Sequence, residues 1–226
     1  MSRNYVANKG FTLIELMLAM TFVSFLLVGI ALLAIQMSTI YTRGLTMKEI
    51  NQAGTEVADD IRRTISESPL RNVQAKKIGD NFVLCTGSYS YITNGSKQLE
   101  PGGSPNVKFS GSNAPARLAK VRDISASYCT SNTLNAATVT LENGAVELLG
   151  GGDRSLVVRE IALDPVTGLS EDKLAGRMLF TVRLTLSTGV DDEIENDTCR
   201  APNDEKTGGE YCAINTFVIV ARVGNI

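Results

Sequence analysis

Between residues 16 and 35 the chain carries only two polar side chains, Thr21 and Ser24, in twenty positions. As a helix, twenty residues extend about 30 Å, the thickness of the hydrocarbon core of a bilayer. The stretch exceeds the apolar core of a secretory signal peptide, and no small-residue cleavage site with a polar junction follows it. It predicts a single membrane span. Beyond it the pattern stays helical but becomes one-sided. Met47, Ile50, Gly54, Val57, Ile61 and Ile65 recur every three or four residues, with Lys48, Glu49, Glu56, Asp59, Asp60 and Arg62 mostly between them. No proline occurs before Pro69, which is a natural stop. The pattern predicts one helix from residue 11 to about residue 66, roughly 80 Å long, apolar all round in its first half and amphipathic in its second. Gly29, Gly44 and Gly54 are its soft points, each costing up to about 1 kcal/mol relative to Ala.

From Pro69 onward the period falls from 3.6 to 2. In "RMLFTVRLTLST" (177–188), Met178, Phe180, Val182, Leu184 and Leu186 share one face, while Arg177, Thr181, Arg183, Thr185 and Ser187 take the other. "SLVVREIAL" (155–163), "YCAINTFVIVARV" (211–223) and "NFVLCTGSYSYIT" (81–93) are further strand candidates. "TVTLENGAVELL" (138–149) reads as a hairpin through Asn143-Gly144. Loops such as "TNGSKQLEPGGSPN" and "ENDTCRAPNDEKTGGE" separate these runs, and no internal repeat is apparent. The simplest fold is α+β, with a long N-terminal helix whose amphipathic half is packed on an antiparallel β-sheet domain, burying the stripe from Met47 to Ile65. A sheet split into two smaller layers is the alternative.

Composition removes several classes of function. The 226 residues carry a formal charge of −2, so no basic field points to nucleic acid. Histidine is absent, which excludes Ser-His and Cys-His nucleophile pairs and His-containing zinc sites. Tryptophan is absent and aromatics are 6% of the chain, too sparse for a base-stacking platform. No enzymatic site and no cofactor emerge. The four cysteines, Cys85, Cys129, Cys199 and Cys212, are well separated and include no CxxC pair, which fits disulfides in an oxidising compartment. Of three possible connectivities, spacing favours Cys199–Cys212 with Cys85–Cys129. Arg3 and Lys9 precede the span while Arg43 and Lys48 follow it, so the positive charges do not set its orientation. Oxidised cysteines would place the C-terminal part outside and the first ten residues in the cytoplasm.

Glu15 stands at the start of the apolar run, where a carboxylate at bilayer depth costs about 2.5–3.5 kcal/mol. No Lys, Arg or His lies between Lys9 and Arg43 to offset it. A cut after Gly10 would supply a cation, the free amine of Phe11, one helical turn away. That amine could neutralise Glu15 in the same chain, or pair with Glu15 of a parallel staggered neighbour and fix the register between the two. "KGFTLIELMLAM" resembles the N-terminus of a type IV prepilin or a type II secretion pseudopilin. The resemblance covers residues 9 to about 37 closely, and the long helix extends it to about 66.

It implies a leader over residues 1–10 ending in Gly10, removed by a prepilin peptidase that N-methylates Phe11, with Glu15 setting assembly register. It implies a filament-core helix over 11–37, an amphipathic half over 38–68 and an exported β-rich domain over 69–226. The implied partners are other pilin or pseudopilin subunits, the peptidase, the assembly platform and its ATPase. The implied location is the cytoplasmic membrane before assembly, then the pilus or cell surface. Many major pilins have Gly and Pro at the fourteenth and twenty-second mature residues, where Ser24 and Leu32 stand here. The 216 residues left after cleavage also exceed many major pilins. Both features point to a minor pilin, or alternatively a minor pseudopilin of a secretion system, most similar to the W-type minor pilins and J-type pseudopilins. A domain displayed for adhesion or DNA uptake is a further alternative.

Within the exported part, "VDDEIEND" (190–197) gathers Asp191, Asp192, Glu193, Glu195 and Asp197 beside Cys199. Oxygen ligands on a loop suit calcium, although the spacing is not that of an EF-hand. Such runs are more often solvated surface. "GGGD" (150–153) lacks the Lys of a phosphate-binding loop and reads as a turn. Tyr89 and Tyr91 share one strand face and read as packing, and the sequons at Asn94 and Asn196 as chance.

Overall fold

A computed structural model describes residues 12–100, 102–112, 114–130, 134, 138–141, 144–150, 155–166, 178–188, 194–195, 198–199 and 212–224, without the side chains of Thr39, Arg71 and Glu195. Helix α1 (Leu13–Ser66) is followed, among the described residues, by twelve strands, and the fold is α+β as the periodicities predict. The chain divides inside α1 into two compact units, Met1–Thr42 and Arg43–Ile226.

In the second unit the helix buries Thr46, Ile50, Gly54, Val57, Ala58, Ile61, Thr64 and Ile65. The predicted stripe is present, shifted at its start: Met47 is exposed and Thr46 takes the inward position. Gly54 has a specific reason to be glycine. A Cβ at this position would lie 2.1 Å from the ring of Phe217, so any side chain must displace that ring. The helix ends where the sequence places its stop, with Ser68 N–H donating to the Ile65 carbonyl at 3.0 Å just before Pro69.

Strands β1 (Val73–Ile78), β2 (Asn81–Thr86), β3 (Tyr89–Ile92), β5 (Ala119–Arg122) and β7 (Val146–Glu147) form an antiparallel sheet in the order β1-β2-β3-β5-β7. Strands β8 (Leu156–Pro165), β9 (Met178–Thr188) and β12 (Ile214–Val223) form a second antiparallel sheet in the order β12-β9-β8. Two small pairs complete the set, β4 (Val107–Phe109) with β6 (Val139–Leu141) and β10 (Ile194–Glu195) with β11 (Thr198–Cys199). The sheet is therefore split. Both sheets pack on the helix, which shares one core with Leu84 and Tyr91 of the first, Leu118 just before β5, and Val182, Leu184, Leu186 and Ile219 of the second.

The central strands of the five-stranded sheet, β2 and β3, are buried on both faces. Alternation along β2 sends Leu84 to the helix side and Val83 and Cys85 to a second core, shared with Ile92, Val107, Val121, Cys129 and Leu141. Two expectations need correction here. "NFVLCTGSYSYIT" is not one strand but the hairpin β2–β3, turning at Gly87-Ser88 with Gly87 at φ 81°. "TVTLENGAVELL" is not a hairpin: β6 runs parallel to β4, while β7 pairs with β5. A partner across the sheet outcompetes the local turn signal at Gly144.

Candidate functional site

The segment that opens α1 is the first candidate. Gly10 and Phe11 lie outside the described residues. Thr12 stands immediately before the helix and Glu15 at its third position, and the two are bonded reciprocally. Thr12 donates to Glu15 Oε2 from its backbone N–H at 3.0 Å and from its hydroxyl at 2.8 Å. Glu15 N–H donates back to Thr12 Oγ1 at 3.3 Å. This is a capping box, which satisfies donors that the helix itself leaves open and sets a carboxylate at the positive end of the helix dipole. Glu15 thus has a local partner, Thr12, that is not a cation. The T-x-x-E spacing before an apolar run is the signal that marks Thr12. Glu15 Oε1 accepts no hydrogen bond among the described residues, leaving that oxygen available to a donor from elsewhere.

Behind this cap the apolar side chains lie bare. Leu13 is 78% exposed, Phe25 80% and Met37 71%. An 18-residue window of α1 reaches a mean hydropathy of 2.6, and the helix is long and apolar enough to cross a membrane. Such a surface left in water forgoes about 25 cal/mol for each Å² of apolar area that a lipid or protein neighbour would cover.

The second candidate is a charged cluster between the amphipathic half of α1 and the five-stranded sheet. Lys120 Nζ reaches both Asp60 carboxylate oxygens at 2.8 Å, and Tyr91 Oη donates to Asp60 Oδ2 at 2.8 Å. Arg63 adds a contact to Oδ1 at 3.1 Å, and the Tyr91 hydroxyl lies 2.9 Å from Thr64 Oγ1. The Lys120 ammonium also sits 4.4 Å from the Tyr89 ring centroid, within cation–π range. Alternation along β5 explains the meeting, since Ala119 and Val121 point into the far core and Lys120 to the helix side.

Asp60 and Lys120 are only 18% and 15% exposed. Burial pushes the Asp60 carboxyl up, but hydrogen bonds from Lys120 and Tyr91, with the charges of Lys120 and Arg63, outweigh it and hold it below its ordinary value. Tyr91 moves the opposite way: burial, reinforced by the Asp60 charge, raises its phenol well above the usual range. The arrangement fastens helix to sheet and keeps Tyr91 a neutral donor. Tyr91, read from the sequence as packing, is fully buried.

The disulfides join Cys85 to Cys129 and Cys199 to Cys212, with Cα–Cα distances of 6.3 Å and 5.7 Å. This is the connectivity that spacing favours. Asp123 brings Cys129 into place by capping the short helix α2 (Ser127–Thr130), accepting from the backbone of Ser127 at 2.9 Å and of Tyr128 at 3.2 Å. The Ser90 hydroxyl donates to Asp123 as well, at 2.7 Å, and lies 3.2 Å from Cys85 Sγ. Burial works against the Asp123 charge, yet the donors from Ser127, Ser90 and Tyr128 hold its carboxyl below the ordinary value.

Of the acidic run, Asp191, Asp192, Glu193 and Asp197 lie outside the described residues, as does the side chain of Glu195, whose backbone is in β10. Among the described residues no group of three acidic or Cys side chains is placed to hold a metal. The sequon at Asn94 is inaccessible: its amide donates to the carbonyls of Val107 (2.7 Å) and Ala116 (2.8 Å), and the residue is fully buried. Asn196 is outside the described residues. Comparison with models of protein families, with curated proteins and with solved structures finds no match for this chain.

Proposed function

We propose that this chain is a minor pilin, a structural subunit of a type IV pilus that is cut after Gly10, N-methylated on Phe11, and used to initiate or modulate filament assembly. One observation carries the reading: Gly10-Phe11-Thr12-Leu13-Ile14-Glu15-Leu16 leads directly into a bare apolar helix. Cleavage would create an amine on Phe11, and Glu15 Oε1 is the oxygen left to receive one. Before assembly the apolar segment holds the subunit in the cytoplasmic membrane, with residues 1–10 inside and the disulfide-bonded domain outside. In the fibre, the same segments of neighbouring subunits cover each other. Prepilin peptidase, the assembly platform with its ATPase, and other pilins are the partners.

Glu15→Ala tests the role given to the carboxylate. Membrane insertion is expected to be unchanged, because the variant is more apolar than the native chain. Recovery in sheared filaments is expected to fall roughly tenfold, the equivalent of about 1.4 kcal/mol of lost assembly energy. Undiminished recovery would remove Glu15 from the assembly step.

A further inference from the structure

An outer strand presents a row of unpaired N–H and C=O groups, and proteins blunt such edges with charge, proline, a bulge, shortness or a covering element. Most outer strands of the two larger sheets are treated in this way. β7 has two residues, and β1 and β8 lie against each other. β12 is the exception. It runs for ten residues without a proline, keeps its register with β9 without a bulge, and has Arg222 as its single charge.

The ladder fixes which of its backbone groups are open. Thr188 N–H donates to the Ala213 carbonyl at 2.9 Å. Bonded positions alternate in an antiparallel pair, so the odd-numbered residues from Asn215 to Val223 turn their backbone groups to β9. Those of Ile214, Thr216, Val218, Val220 and Arg222 point the other way, and among the described residues no backbone group meets them. The exposed side chains stand on the same residues, with Val218 61% and Val220 52% exposed, while Ile219, Ala221 and Val223 are buried in the core shared with α1. Open main-chain groups and bare valines thus fall in one row.

We infer that the edge of β12 receives an extended strand of a different protein, which adds a fourth strand to this sheet. An extended backbone repeats its donors and acceptors at the spacing of a strand edge, so main-chain bonds supply the hold and side chains the selectivity. The incoming strand places apolar residues beside Val218 and Val220 and a carboxylate beside Arg222, which is exposed and forms no ion pair among the described residues. The β12 of a second copy does not answer that description, because Ile214–Val223 contains no Asp or Glu. The contact goes beyond the filament reading and does not depend on how the N-terminus is processed.

The full chain in its own cells tests this, with a genetically encoded benzophenone side chain at Val218. Irradiation is expected to join it to a different protein, through a peptide that contains Asp or Glu. Capture alone does not establish strand pairing; three added substitutions do. Val220→Pro removes an outward N–H at an edge, where proline is tolerated, and is expected to lower the adduct about tenfold. Val220→Thr keeps the N–H and the β-branched shape and is expected to hold the adduct within about twofold. Arg222→Glu leaves every backbone group in place and is expected to lower the adduct by repelling the carboxylate. Formation of both disulfides reports that each variant has folded, and Arg222→Glu carries the test if Val220→Pro does not form them. An adduct with a second copy, the absence of any protein adduct, or an adduct indifferent to Arg222→Glu would overturn the inference. Equal losses for Val220→Thr and Val220→Pro would overturn it too, since contact would then run through the side chain.

Discussion

Replacing Cys85 and Cys129 together by Ala is expected to lower the stability of the folded domain by about 4 kcal/mol, the loop-closure entropy for a separation of 44 residues. The same treatment of Cys199 and Cys212, separated by 13, is expected to cost about 3 kcal/mol. Ala is the right replacement at the first pair, because Cys85 and Cys129 are 0% and 4% exposed and a serine hydroxyl there would be buried. The longer bridge also does more structurally. It ties α2 to β2 in the core on the far side of the five-stranded sheet, where the strands are short and few aliphatic side chains are large. Denaturant unfolding of the full chain in detergent, native against each double variant, gives the comparison. A loss below about 1 kcal/mol at Cys85–Cys129 would mean that this core holds itself together without the bridge.

The second large effect is expected at Asp60. Asp60→Ala leaves the Lys120 ammonium and the Tyr91 hydroxyl without their acceptor and is expected to cost about 2–4 kcal/mol, toward the lower end of the range for broken buried ion pairs because both partners keep some contact with water. Combining Asp60→Asn with Lys120→Met should cost less than Lys120→Met and Asp60→Asn added together, since the double variant strands no charge. The pH dependence has a definite sign. The Asp60 carboxyl titrates lower in the folded chain than in the unfolded one, so the stability it contributes is complete above the unfolded value, near pH 4. That stability drains away as the pH falls from there through the folded value. Asp123 adds a contribution of the same sign. Unfolding midpoints between pH 6 and pH 3 should therefore fall for the native chain and fall less steeply for Asp60→Asn. Parallel curves would show that Lys120 and Asp60 are held apart in solution.

The elements legible in the sequence are those whose burial is one-sided. The stripe on α1 follows from one face in the core and one in water, shifted only at its start, where Thr46 replaces Met47. The first half of β9 alternates in the same way, with Phe180 and Val182 buried beside exposed Arg183, while Thr185 and Ser187 further along are buried as well. β2 was obscured because both of its faces are buried, which makes "NFVLC" apolar without alternation and hides the turn at Gly87 behind it. β4, β5 and β7 are two to four residues long, too short for any period, and are held by partners distant in sequence. Helical spacing places Asp60 among the polar residues between the apolar positions of α1. Its burial depends on Lys120, sixty residues away, and helical spacing carries no information about that partner. At the N-terminus the reverse holds: Thr12 and Glu15 are three residues apart, and their capping box was readable from the sequence.

The central claim is that the chain is processed as a prepilin, and the most direct test is the mass of its N-terminal peptide. That peptide is taken from native membranes and from a sheared-filament fraction. The account predicts a chain starting at Phe11 with one added methyl group, present in the filament fraction. Mature chain confined to membranes would point instead to a pseudopilin or an assembly primer. An intact Met1 start in both fractions would contradict the account, leaving Glu15 with Thr12 as its only partner among the described residues.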